Sequence, residues 1–459
     1  MKRCLLFVFV LILSLFALAY AEEEVAPTIV ERVNYCEVRE PGETIVAVRL
    51  EYSEPIAMNA MFGGTPFGGW DLNIPFETNY DLPIVACYTN TTGAFGEYEG
   101  AGQYIFLEFD MSWVNGSLYK NYITFNESTK TRTFWPITVV QTRPLTTVNG
   151  NVVPAGYGAT TREIRAIIDD FEVVKWTCAE NGVEYDILVY LPEGYDGDQT
   201  FPLVVHFTNG GDASYTDYSG GRIGGLFTHA DAVTWADPES QAEWPCIVIA
   251  YGKDQADAID ATAQLGMIHY VLDNYAVDTN RIYAVSLAGA TPRLFECALA
   301  EPELFAALVY CSYDPIHVYK DLALASEKYT EIVGLFPTWA VVSEADTTGA
   351  QPEGVVPPEM QAAGKGARCG NFALYLNENY GTNITVAGNN GDMPMWNGFL
   401  RGDAATALAN ELVALGEAKG SDDYVSVFIA GTTPYVDHWS WANGYINMGL
   451  HAWLFTQSK

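Results

Sequence analysis

Apolar and polar positions change their period once along the chain. From about Val25 to Leu145 they alternate in short runs, as in Thr44–Glu51 (TIVAVRLE) and Tyr104–Phe109 (YIFLEF), which is the period of half-buried strands. Phe134–Thr142 reads as another. Pro-Gly, Gly-Gly and Asn-Gly pairs separate these runs and no helical period appears, so an all-β sandwich over residues 22–145 is expected. Residues 146–165, with Asn149-Gly150, Pro154 and Gly156, read as a linker.

Beyond the linker, strands alternate with helices. Phe171–Thr177 and Tyr185–Leu191 flank Glu180-Asn181-Gly182, a hairpin signal. Leu203–Phe207, Cys246–Tyr251, Ile282–Val285, Phe305–Cys311, Trp339–Val342 and Val425–Ile429 are strand-length apolar runs. Residues 257–275, Leu294–Ala300 and Tyr445–Phe455 carry the helical period. Such alternation predicts an α/β domain over residues 166–459, a mostly parallel sheet with helices on both faces. Its chemistry is expected in the loops at the carboxyl ends of the strands.

Composition narrows the partners. Hydrophobic residues make up 49%, enough for a sizeable core, and the net charge is −34. A surface this acidic repels phosphate backbones and anionic headgroups, so nucleic acid is excluded as a partner. Lys2 and Arg3, the apolar run from Leu5 and Ala19-Tyr20-Ala21 read as a secretory signal over residues 1–21, with an uncleaved anchor as the competing reading. A secreted or extracytoplasmic location follows, with no stable membrane insertion after cleavage. The seven remaining cysteines are an odd number and widely spaced, without a Cys-x-x-Cys pair. That is neither a disulfide framework nor a metal site, although a Cys36–Cys87 bridge stays open. No cofactor fingerprint appears.

The chemistry lies near the end of the chain. Asp346 follows the strand Trp339–Val342, and His438 follows Val425–Ile429, just ahead of the last helix. An acid and then a histidine at such places fit a Ser-His-Asp mechanism, in which a carboxylate orients an imidazole that takes the proton of a hydroxyl. The other five histidines read as structural.

The run 278–311 (DTNRIYAVSLAGATPRLFECALAEPELFAALVYC), Pro337-Thr338-Trp339 with Glu344 and Asp346, and His438-Trp439-Ser440-Trp441 together resemble secreted esterases of the polyhydroxybutyrate depolymerase and feruloyl esterase type. The resemblance covers roughly residues 170–459 and implies the α/β-hydrolase fold. It also suits an immunoglobulin-like domain for the N-terminal sandwich. The family's nucleophile motif is R-I-Y-x-x-G-x-S-x-G-G. Laid on Arg281-Ile282-Tyr283, it puts the nucleophile on Ala288, and counting back from Glu301-Pro302 gives Ala288 again.

Two readings follow. Ser286 lies in Ala284-Val285-Ser286-Leu287-Ala288, a G-x-S-x-G pattern with alanines for glycines. Shifted by two residues, it would serve as nucleophile, with His438 as base and Asp346 as its orienting partner. Otherwise Ala288 fills the slot, and the chain is a catalytically inactive pseudo-esterase, an extracellular binding module. Gly289 offers a backbone oxyanion donor in either case. Thr208 and Asn209 stand where the family has His-Gly on the other side of the oxyanion hole, and Tyr215 and Tyr218 stand near them as possible pocket-lining residues. Residues 347–423 read as an insertion, either a lid or substrate-binding subdomain or plain decoration. The ligand expected is a small-molecule or polymer ester, or a carbohydrate-linked one.

Overall fold

A computed structural model describes residues 26–39, 42–57, 74–80, 82–110, 123, 125–126, 128–209, 212–229, 231–253, 260–343, 346, 365–388, 426–431, 445 and 448–459. The expected signal segment, residues 347–364 and 389–423 of the insertion, and His438-Trp439-Ser440-Trp441 lie outside the described residues. No described helix is long and apolar enough to cross a membrane.

The chain divides into two units, and the boundary is not the expected one. The first holds residues 1–35, 47–110 and 136–163; the second holds 36–46, 111–135 and 164–459. The N-terminal region therefore gives two segments to the second unit. Ions hold them there: buried Glu43 pairs with Arg132 at 2.5 Å and with Arg165 at 2.8 Å, and Arg165 also reaches Asp217 at 3.1 Å.

The first unit is all-β among its described residues. Its main strands are β1 (Ile29–Arg39), β2 (Gly42–Ala57), β3 (Phe76–Thr78), β4 (Ile84–Asn90) and β5 (Ala101–Phe109), with β1 and β2 running on past its boundary. The pairs β2–β5 and β4–β5 are antiparallel. Two short strands, β6 (Phe125–Asn126) and β7 (Thr131–Arg132), belong to the second unit. The run expected as a strand over 134–142 is regular only at β8 (Thr138–Gln141).

Residues 146–165 are not a linker. They carry the end of β9 (Leu145–Thr146), then β10 (Val152–Val153), β11 (Gly156–Ala159) and β12 (Arg162–Arg165). The Asn-Gly pair is the turn of a hairpin in which Val152 faces Thr146, with Gly150 at φ +84°. Cys36 and Cys87 are both buried and neither is in a disulfide, so the bridge left open does not form.

The second unit is built on a nine-stranded sheet. Its strands are β13 (Glu172–Thr177), β14 (Glu184–Tyr190), β15 (Phe201–Phe207), β16 (Ile247–Lys253), β17 (Val277–Leu287), β18 (Ala307–Cys311), β19 (Thr338–Ser343), β20 (Ile384–Gly388) and β21 (Ser426–Gly431). They lie in the order β13-β14-β16-β15-β17-β18-β19-β21-β20. The first hairpin is antiparallel, as Asn181-Gly182 predicts, and the strands from β16 onward pair in parallel.

Between these strands run α1 (Gly224–Phe227), α2 (Ala232–Trp235), α3 (Pro238–Glu243), α4 (Ala261–Asn274), α5 (Thr291–Ala300), α6 (Pro315–Tyr319), α7 (Leu322–Leu335) and α8 (Lys365–Tyr380), and α9 (Met448–Thr456) follows the last of them. One face of the sheet packs Val205, Ile249 and Ala284 against Met267 of α4, Phe295 of α5 and Tyr329 of α7. The other packs Val204, Val248 and Val285 against Trp235 of α2 and Leu450 of α9. Central strands buried on both faces explain why these segments are unbroken apolar runs.

Residues 365–388 correct the lid expectation for their part of the insertion. They form α8, which buries Phe372, Ala373 and Leu376, and β20, which extends the sheet at its edge. The apolar face of α8 needs a sheet to cover it, and β20 supplies the edge.

Candidate functional site

The chain reverses its direction of travel across the sheet at β15. From there it steps one way to β16 and then back past β15 to β17. A crevice opens at the carboxyl ends of the strands at such a point. Phe207 of β15 pairs with Ser286 of β17, so Thr208 and Asn209 leave one strand beside the Leu287–Gly289 exit of the other.

Strand β17 ends at Leu287 and α5 begins at Thr291, with a single tight turn over Ala288–Ala290 between them. Ala288 holds φ +41°, in the left-handed region that costs a residue with a Cβ of order 1 kcal/mol or more. Ala288 is partly exposed and Gly289 is open to solvent. A strained residue lifted to the surface between a strand and a helix is the geometry that presents a nucleophile in hydrolase elbows. Here the side chain presented is a methyl.

Ser286 lies two residues lower, about 6–7 Å down the strand at roughly 3.3 Å per residue. It is fully buried; its Oγ shares a 3.0 Å hydrogen bond with Thr291 Oγ1, and its carbonyl accepts from the Tyr445 hydroxyl. The serine is thus built into the base of α5 and does not reach the surface of the turn. The two-residue shift that would make it a nucleophile is not what the backbone adopts.

Asp346 follows β19 as expected and is 1% exposed. His438 lies outside the described residues. The structure therefore brings together Ala288, Gly289, Thr208 and Asn209, with Asp346 two strands away, and leaves the histidine unplaced. The Asn209 amide packs on the turn: its Oδ1 lies 3.4 Å from where a Cβ on Gly289 would stand. Thr208 is a structural post, its Oγ1 accepting the Tyr251 backbone N–H at 3.1 Å. Tyr215 is buried, with its hydroxyl taking a 3.1 Å bond from Lys130, and Tyr218 is half-exposed beside Arg132.

Two acid–imidazole pairs underlie this side of the crevice. His206 Nε2 is 3.2 Å from Asp231 Oδ2, and His229 Nε2 is 3.8 Å from Asp212 Oδ2. Burial pushes the Asp212 carboxyl above its usual range, and His229 opposes that shift. Behind the turn, His451 stacks on Trp235 and bonds Ser240 Oγ and the Tyr445 carbonyl, each at 2.7 Å. Burial holds its pKa down to about 4, so it is a neutral structural histidine, in keeping with its place in a helix.

Sequence reasoning missed two features of the rim. One is the turn after β18, where Ser312 holds φ +56°. The other is the buried pair of Asp314 with Arg368 of α8, at 3.2 Å. Asp314-Pro315 is a helix-start signal that would have located the first.

Scans of the sequence against protein-family models and curated proteins return no match. Solved structures do resemble the chain. A thermostable esterase aligns with a TM-score of 0.61 and 23% identity, over 95% of this chain and 100% of its own. The BES protein from Bacillus cereus aligns at 0.36 and 12%, over 64% of this chain and 98% of its own. A 2,6-dihydroxy-pseudo-oxynicotine hydrolase aligns at 0.33 and 11%, over 62% and 68%. With the strand order above, the first of these establishes the α/β-hydrolase fold.

Proposed function

We propose that this chain is an exported protein that receives carboxylic esters at the carboxyl rim of the sheet, in the manner of polyhydroxybutyrate depolymerase and feruloyl esterase relatives. Its usual nucleophile position is silent. The observation that carries this reading is Ala288: the strained, outward-facing turn is kept and its hydroxyl is gone. No acyl-enzyme forms at residue 288, and Ser286 is held inside the fold by Thr291. Gly289 and Asn209 remain to meet a polar ligand group, and the acidic surface favours neutral esters, small or polymeric, over anionic ligands. If no other hydroxyl takes over, the chain is a binding module of the pseudo-esterase kind. The N-terminal all-β unit would act as an immunoglobulin-like accessory domain.

The test is restoration. Ala288→Ser places a hydroxyl where the backbone already aims one, and short-chain ester turnover should rise above that of the unsubstituted chain. A purified, folded Ala288→Ser protein with no added turnover would sink the reading.

A further inference from the structure

The strained turn at residue 288 is framed on both sides by buried hydrogen bonds. Before it, the Ser286 carbonyl accepts from the Tyr445 hydroxyl. Across it, the Ser286 Oγ shares its 3.0 Å bond with Thr291 Oγ1 at the start of α5. Ser286, Thr291 and Tyr445 are all fully buried. Tyr445 lies 159 residues from Ser286, so its hydroxyl ties the end of β17 to the chain just ahead of α9.

Tyr445 is itself gripped at its backbone. Its carbonyl accepts from His451 Nε2 at 2.7 Å, and His451 Nδ1 bonds Ser240 Oγ of α3 at 2.7 Å. A carbonyl can only accept, so Nε2 carries the ring proton and the serine hydroxyl donates to Nδ1. Burial keeps that ring neutral down to about pH 4. Trp235 closes the cluster, stacked on His451 at 4.2 Å and edge-on to Tyr445 at 5.8 Å. Trp235, Ser240 and His451 are fully buried as well.

With Ser286 and Thr291 both fixed, the four residues between them must close a set span. Ala288 does so at φ +41°. A left-handed alanine relaxes unless its surroundings over-determine it, and Tyr445 is a support that the turn's own sequence does not contain.

We propose that Tyr445 is a positioning residue for the ester site: its hydroxyl, held in place by His451, keeps residue 288 strained and facing outward. Its part in ester chemistry rests on the reading of the crevice as an ester site, whereas the clamp on the turn does not.

A cycle of thermal melts on the full chain tests the clamp. Ala288→Gly relieves the strain and should raise Tm slightly. Tyr445→Phe keeps the ring and loses only the hydroxyl, so the turn relaxes. In that background the Ala288→Gly step should gain about half as much or less. A tyrosine that merely fills the core would lower Tm alike in both backgrounds and leave the gain intact. An equal gain in both, or none in either, overturns the proposal. If Tyr445→Phe does not fold, His451→Phe keeps the stack on Trp235, removes both bonds and should shrink the gain in the same way.

The second arm reads ester turnover in Ala288→Ser. Adding Tyr445→Phe should lower kcat about tenfold or more and leave KM within about twofold, since Gly289 and Asn209 still meet the ligand. An unchanged kcat, or a loss carried by KM alone, overturns the positioning role. If Ala288→Ser gains no turnover, the ester reading fails by itself, and the melts still decide whether Tyr445 holds the turn.

Discussion

The turns at residues 288 and 312 are built alike and equipped differently. Both end parallel strands, both hold positive φ on a residue with a Cβ, and both feed a helix. The turn at 288 is partly open and presents a methyl, whereas the turn at 312 is 3% exposed and carries a hydroxyl. Their supports differ too. The first rests on Ser286, Thr291, Tyr445 and His451, and the second on an ion pair between Asp314 and Arg368. Backbone geometry and side-chain chemistry have thus come apart in this fold. A strained elbow marks where a nucleophile is presented, but only the side chain decides whether one is there.

The largest effect expected from breaking this comparison is on activity. Ala288→Ser should raise ester turnover by about 10³-fold, a partial recovery of the ~10⁶-fold that losing a triad serine costs. Next comes the support of the 312 turn. Asp314→Ala leaves Arg368 buried without this partner and removes a helix cap, so it should cost about 3–5 kcal/mol in denaturant unfolding.

The support of the 288 turn should show in pH. His451 has its folded pKa at about 4 against an ordinary value of 6.5. Its contribution is complete above pH 6.5 and is lost as pH falls toward 4, because the unfolded chain takes up the proton first. The loss should be ~3 kcal/mol, and it should flatten in His451→Gln when unfolding is followed from pH 7 to 4. The smallest effect is strain relief. Ala288→Gly should stabilise by about 0.5–1 kcal/mol, seen as a small rise in Tm.

Much of the hydrolase architecture was legible because its strands are buried on both faces and its helices on one. Central runs such as Cys246–Tyr251 leave little room for another reading. The count that lands on Ala288 comes from two flanking motifs that agree, and its positive φ lies in the backbone alone. The rest depended on contacts distant in sequence. The first unit's boundary is set by Glu43 pairing with Arg132 and Arg165, which no local pattern announces. Residues 365–388 look like an insertion until β20 is seen paired with β21. The strain at Ser312 is a backbone property, and serine carries no warning of it. Ser286 misleads for a related reason: the G-x-S-x-G spacing survives with alanines, but the hydroxyl points into a bond with Thr291.

On the proposed reading, residue 288 and not residue 286 occupies the nucleophile position. The mass of the Ile282–Arg293 peptide after phosphonate treatment tests it most directly, because that peptide holds Ser286 in both proteins and a second serine only in Ala288→Ser. The account predicts an unmodified peptide from the unsubstituted chain and a single adduct on residue 288 in Ala288→Ser. An adduct on Ser286 in the unsubstituted chain would contradict it.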